Sequence, residues 1–192
     1  MPHQRPGVIP KPVQITLRDG SIVTLRAIDP RRADEPERIL AFGQRLSAES
    51  LQMRFFSVPK ISEHGVRIVL DVDHYDRLAI AAVEHDEIVA IGRYARDEQR
   101  PEVGHIAFIV QDDRQGCGIG TALLHHLVRL ARRNGITEFE GDLYPENRKM
   151  LNVLLHAGYP TRRRFRNGLL CVCLDIADLE PDPAEALDAM VT

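Results

Sequence analysis

Apolar and polar residues change period repeatedly along the chain, and each change marks an element. Residues 1–12 hold four prolines and few core-type side chains, so they read as a flexible tail. Val13-Gln-Ile-Thr-Leu17 then alternates, Asp19-Gly20 supplies a hairpin turn, and Ile22-Val-Thr-Leu-Arg26 is the return strand. From Asp29-Pro30 to about Ser47 the spacing becomes helical, with Ile39, Leu40, Phe42, Gly43 and Leu46 near one face. Ser47-Ala-Glu-Ser50 caps a second helix that ends near Arg54-Phe-Phe-Ser57, and residues 62–70 form a third. Alternation returns in Leu78–Val83 and Glu87–Tyr94, turned at His85-Asp86, and again in Gly104–Val110. A glycine-rich segment leads into a helix with the stripe Leu123, Leu127, Leu130 and Ala131, closed by Asn134-Gly135. The strand Glu138–Tyr144, a helix from Pro145 to Ala157-Gly158, and a hairpin of Arg163–Arg166 with Leu169–Leu174 about Asn167-Gly168 complete the pattern. Residues 177–192 read as an acidic tail. The order predicts one mixed α/β (α+β) domain over residues 13–176, without repeats.

The junction after Val110 carries the chemistry. It reads Gln111-Asp-Asp-Arg-Gln115-Gly116-Cys117-Gly118-Ile119-Gly120-Thr121. Glycines let the backbone approach a ligand and turn sharply, while free N–H groups and the helix dipole favour an anion. The spacing G-x-G-x-G is not the dinucleotide fingerprint G-x-G-x-x-G. A P-loop is excluded because no lysine lies between Lys60 and Lys149. What fits is Gln115-x-x-Gly118-x-Gly120.

With that motif between an apolar strand and an amphipathic helix, the chain resembles the GNAT superfamily of acyl-CoA-dependent N-acetyltransferases. Asn147 and the closing Ala157-Gly158-Tyr159 add to the likeness. A narrower likeness is to the GNAT domains of bacterial Pat-type protein lysine acetyltransferases. It rests on Arg45-Leu-Ser-Ala-Glu-Ser50 with Arg54-Phe-Phe-Ser57, on Asp73-His-Tyr-Asp76, on Asp112-Asp-Arg-Gln-Gly116 and on Glu146-Asn-Arg-Lys-Met-Leu151. The resemblance implies a mostly antiparallel twisted sheet with helices on both faces and a splayed central strand pair. It also implies acetyl-CoA as cosubstrate, its pyrophosphate held by the backbone of Gln115, Gly116, Cys117, Gly118, Ile119, Gly120 and Thr121. A free N–H near Ile109 or Val110 would meet the thioester oxygen. Asn147 would bond the pantetheine end, unless it serves only as a helix cap.

The proton acceptor departs from the resembling group, which uses a glutamate ten residues before the motif's glutamine. That position here is His105. Imidazole, with an ordinary pKa near 6.5, suits general-base work at neutral pH. Two other readings stay open: a histidine with a purely local bond, or a lost base that leaves an acyl-CoA binder. Glu102 could supply a carboxylate if the strand entry bends. The tyrosine that protonates the thiolate in many GNAT enzymes is replaced by Leu154. The expected reaction is acetyl transfer to a primary amine by direct attack, with a protein lysine as preferred acceptor. A small amine is the alternative acceptor, and a weakly catalytic acetyl-CoA-binding module the alternative function.

Composition narrows this only a little. The 192 residues carry a net charge of −3, with 44% apolar and 28% charged residues, which points away from nucleic acid and membrane partners. No apolar run suits a bilayer span or a signal peptide, and three cysteines make no disulfide framework, so the expected compartment is the cytoplasm. Cys171 and Cys173 would share one strand face as core packing. Adjacent His125 and His126 diverge on their helix, and no metal is expected. Phe55-Phe56 reads as core, and Arg162, Arg163, Arg164 and Arg166 as surface charge or, alternatively, as a patch for an acidic protein surface or the cofactor's 3′-phosphate. Oligomeric state is left open.

Overall fold

The computed structural model describes residues 7–177; residues 1–6 of the expected amino-terminal tail and residues 178–192 of the acidic one lie outside the described residues. The elements are β1 (Val13–Thr16), β2 (Ile22–Ala27), α1 (Glu35–Gln44), α2 (Ala48–Phe55), α3 (Glu63–Leu70), β3 (Arg77–Glu84), β4 (Glu87–Arg96) and β5 (Val103–Val110). After a single 3-10 turn at Asp112–Arg114 come α4 (Ile119–Arg133), β6 (Glu138–Leu143), α5 (Arg148–Leu155), β7 (Thr161–Arg166) and β8 (Leu169–Asp175). Residues 7–12 lack regular structure but touch the domain. The Gly7 N–H donates to the Asp73 carbonyl at 3.0 Å, and Ile9 packs on the core.

The eight strands make one sheet in the order β1-β2-β3-β4-β5-β6-β8-β7, antiparallel except between β5 and β6. Two-residue turns set the hairpin registers. His85 and Asp86 both have positive φ (46° and 65°), as do Asn167 and Gly168 (52° and 78°), the twist that closes a tight hairpin. One face is covered by α4 and α5. There Leu123, Leu127 and Leu154 pack with Phe108, Phe139 and Val172. The other face receives α1 and α3, with Ile39, Phe42 and Val66 against Ala79, Ala81 and Ile91. Arg26 reaches Glu35 with two bonds of 2.7 and 2.8 Å, fixing the start of α1 to β2.

Several expectations shift. The helical stretch after Asp29 begins only at Glu35, because the Asp29 carboxylate folds back on the N–H of Arg31 at 3.0 Å and holds a turn. Likewise α5 starts at Arg148 rather than Pro145, since Asn147 is its cap. Phe55 and Phe56 are not core. They are 42% and 38% exposed, because Phe56 takes a left-handed conformation (φ 59°) that ends α2 and turns both rings outward. Cys171 and Cys173 share a buried face, as expected, on the side of β8 opposite its larger apolar residues. The core side of β8 is Leu170, Val172 and Leu174. The cysteines lie beneath a ladder in which Arg162 pairs with Glu138, and Arg164 with Glu140 at 3.4 Å.

Candidate active site

β5 and β6 are paired only through Val103–Glu138, Gly104–Phe139 and His105–Glu140. Beyond His105 the two strands part, and the open side of β5 can be read from its alternation. The Gln111 N–H donates to Val89 on the β4 side at 2.9 Å, and the Val103 carbonyl accepts from Asp97 on that same side. Residues of that parity, Ile109 among them, therefore spend their backbone groups on β4. Phe108 and Val110 aim theirs into the splay. The Val110 carbonyl accepts from Gln115 Nε2 at 3.1 Å, which leaves its N–H for a ligand. Of the two expected oxyanion donors, both line the larger cavity, but strand alternation directs the Val110 N–H into the splay and the Ile109 N–H to β4.

The loop that follows is an anion cradle held from outside. Gly116 and Gly118 have φ of 84° and 99°, and Gly118 caps α4 with no side-chain bond, so the first amides of α4 stay open. No acidic residue stands in that first turn. Asp112 accepts from the Ser47 N–H, the Ser47 hydroxyl (2.6 Å) and the Ser50 hydroxyl (2.8 Å), tying the loop to α2. Gln115 donates to Ser50 and accepts from Lys149 Nζ at 2.7 Å, joining α2 and α5 across the loop. Arg114 bonds Glu84 and Ser21, both at 2.8 Å, and anchors the other flank.

This frame lines a cavity of about 860 Å³ with Gln115, Gly116, Gly118, Ile119, Gly120, Thr121, Val110 and Asn147, together with Arg18, Arg148 and Lys149. Its open amides and cationic rim fit the phosphates of acetyl-CoA, and the splay fits its thioester end. Cys117 does not line the cavity with its side chain. The thiol packs on the core toward Asp19, and burial pushes its pKa up. Asn147 does act as a cap, accepting from the Met150 N–H at 3.1 Å, and still lines the cavity.

A second cavity of about 260 Å³ shares Met53, Arg54, Phe108, Asn147 and Met150 with the first and is completed by His105, Glu140, Asp142, Phe56 and Leu154. His105 sits at the last paired position before the splay, its side chain half exposed, with Nε2 2.8 Å from Asp97 Oδ2. Bonds from His105, Arg100 and two backbone N–H groups hold the Asp97 carboxyl far below the usual range. An ionised Asp97 requires the proton on Nε2, so Nδ1 carries the free lone pair. Arg100 also grips Glu140 through two bonds of 2.8 and 2.9 Å, with the Glu140 pKa lowered chiefly by that guanidinium.

Asp97 was not legible as a site residue. Its only sequence signal is an aspartate opening the β4–β5 turn. Glu102, by contrast, is exposed in the turn before β5 and lines neither cavity; its carbonyl accepts from Thr137 and Glu138. Leu154 is buried in the wall of the second cavity, so the expected acid is replaced by an apolar surface. The Tyr144 hydroxyl donates to the Phe56 carbonyl at 3.2 Å, and the Tyr159 hydroxyl meets His125 Nδ1 at 2.6 Å. Glu138, Glu140 and Cys173 are the one metal-like grouping among the described residues, and arginines occupy both carboxylates.

A splayed sheet, a glycine anion cradle and a paired histidine beside it define an acyl-CoA-dependent transferase. The chain matches the Acetyltransferase (GNAT) family over residues 46–159 and belongs to that family. It is 28% identical over 158 residues to Acetyltransferase Pat of Mycolicibacterium smegmatis, covering 81% of this chain but only 46% of that one. With Acetyltransferase PA5475 of Pseudomonas aeruginosa the identity is 29% over 153 residues, covering 77% and 80%. The GNAT domain of S. lividans PAT superposes with a TM-score of 0.79 at 33% identity, covering 85% of this chain and 96% of that domain. The chain thus spans about half of the mycobacterial relative and nearly all of the PAT domain. Among the described residues no helix is long and apolar enough to cross a membrane.

Proposed function

We propose that this acetyltransferase moves acetyl from acetyl-CoA to the side-chain amine of a protein lysine, with His105 as general base and Asp97 as its positioning residue. The observation that carries the reading is the 2.8 Å bond between His105 and Asp97 at the mouth of the splay, on the wall of the smaller cavity. The lysine preference rests on the Pat-type likeness along the chain.

Bound acetyl-CoA supplies an activated acetyl group. Gly116–Thr121 hold its phosphates, and the N–H groups of Phe108 and Val110 are available to a carbonyl oxygen lodged in the splay. A lysine amine with an ordinary pKa near 10.4 is almost wholly cationic at neutral pH. His105 Nδ1 takes a proton from it, and Asp97 stabilises the imidazolium that forms. The amine lone pair forms the new C–N bond, the C–S bond breaks, and the sulfur leaves as thiolate. The acylated nitrogen then releases its second proton to water, and with Leu154 where an acid would stand the thiolate takes its own proton from water.

Labelled acetyl-CoA added with the protein to a deacetylated lysate tests the acceptor. Label on protein lysines, lost with His105→Ala, supports the proposal. Label on small metabolites alone moves the enzyme to small amines, and retention of the full rate by His105→Ala removes the base assignment.

A further inference from the structure

Arg54 is the one arginine lining both cavities, on the last turn of α2. Three other partly buried arginines are matched by acids: Arg26 with Glu35, Arg96 with Asp76, Arg114 with Glu84. Arg54 has no carboxylate and no hydrogen bond among the described residues, only the Phe55 ring 4.6 Å from its guanidinium. Its charged neighbour is another cation, Arg93, whose own hydrogen bond goes to the Ile68 carbonyl at 3.0 Å. Burial pulls the Arg54 pKa down to about 10, with Arg93 adding to the shift, so it still carries its charge at neutral pH. A half-buried cation without a matching acid, at the wall of two cavities, is an arrangement that a ligand anion would complete.

The place of the pair says whose anion that is. Arg93 stands opposite Ala107 on β5, and the glycine loop begins well past Val110. Ala107 to Val110 alone spans about 10 Å at strand rise. The phosphates of acetyl-CoA belong to the loop, and the pantetheine arm between loop and splay is uncharged. Arg54 also borders the smaller cavity beside His105, and an anion that meets it there comes from the acceptor side. The acids of that cavity do not cancel the pair. Glu140 is taken by Arg100 and Arg164, Asp142 lies 3.9 Å from Arg166, and Asp71 beside Arg93 is largely exposed.

We propose that Arg54, with Arg93 behind it, is an acceptor-carboxylate site. The enzyme then selects amines that present a carboxylate beside the reactive nitrogen; for a protein lysine, a neighbouring Asp or Glu. This deepens the lysine reading, but it can be tested apart from it.

Lysine peptides flanked by Asp or Glu are compared with the same peptides carrying Asn or Gln. The wild-type protein should favour the acidic set by about tenfold or more in kcat/KM, the scale of a charge-assisted bidentate contact. Arg54→Gln should bring that ratio to about one, and Arg93→Gln should lower it. Calorimetric binding of the same peptides, and of an amino acid against its amide, to the protein–CoA complex reads the preference whether or not acetyl is transferred. A failed lysine reading with preference for the free amino acid over its amide still supports the site. Equal binding of acidic and neutral ligands by the wild-type protein overturns it. So does an Arg54→Gln variant that keeps the ratio but loses tenfold in acetyl-CoA affinity, since the anion would then be the cosubstrate's.

Discussion

In the proposed mechanism His105 uses only one of its nitrogens, and Asp97 decides which. A carboxylate facing Nε2 at 2.8 Å fixes the tautomer with Nδ1 free. An asparagine there can donate to Nε2 and move the proton to Nδ1, the nitrogen needed as base. Asp97→Asn is therefore expected to lower kcat by one to three decades, within the range of general-base contributions. The double variant with His105→Ala should be no slower than His105→Ala alone. Initial rates against pH check this, and an Asp97→Asn enzyme with over half the wild-type rate would refute the pairing. A different histidine governs stability. His126 is 7% exposed, and burial holds its pKa at about 4 against an ordinary 6.5. Its Nδ1 accepts from Arg129 at 3.1 Å, so a proton there would face a cation. The unfolded chain binds that proton more readily, so stability falls as pH drops from 6.5 toward 4, by at most about 3 kcal/mol. Urea midpoints across that range should fall for the wild-type protein and fall less for His126→Leu.

Helix α2 reaches the site through a few polar bonds rather than a large apolar face; Leu51 is its one buried residue. Asp112 collects three bonds from Ser47 and Ser50, and Ser50 passes the link to Gln115 in the glycine loop. Asp112→Ala removes all three. The expected loss is about 1–2 kcal/mol of stability with a several-fold weaker acetyl-CoA affinity, read by thermal melts and calorimetry. Undiminished affinity would mean that the loop stands without α2. The elements themselves were largely legible, for local reasons: Asn167-Gly168 and the Gly116–Gly120 run announce their backbone angles directly. Phe56 does not. Phenylalanine carries no signal for a left-handed cap, so its outward turn follows only from how α2 ends. Asp97 and Arg54 were missed for a related reason. Each owes its proposed role to a partner, or the lack of one, set across the fold rather than by its neighbours in sequence.

At the scale of the whole molecule the sheet is two antiparallel blocks, β1 to β5 and β6-β8-β7, joined by three parallel residue pairs. A short seam is what opens the splay, because beyond it the N–H groups on the β6 side of β5 have no strand partner, although the Val110 carbonyl is taken by Gln115. The apolar run Gly104–Val110 looks like any central strand in sequence, and nothing in it tells that pairing stops after His105. Alternation turns the splay into a prediction at single-amide resolution. Without ligand, the N–H groups of Phe108 and Val110 should exchange quickly, whereas those of Ala107 and Ile109, directed to β4, stay protected. Acetyl-CoA should slow Phe108 and Val110 by an order of magnitude or more and leave Ile109 nearly unchanged, as followed by amide exchange in NMR spectra. Protection rising equally at 107, 108, 109 and 110 would instead mean that the strand tightens as a unit, and the cradle would then end at the glycine loop. An alternating pattern would mean that the ligand enters the splay itself, two to five residues along β5 from His105.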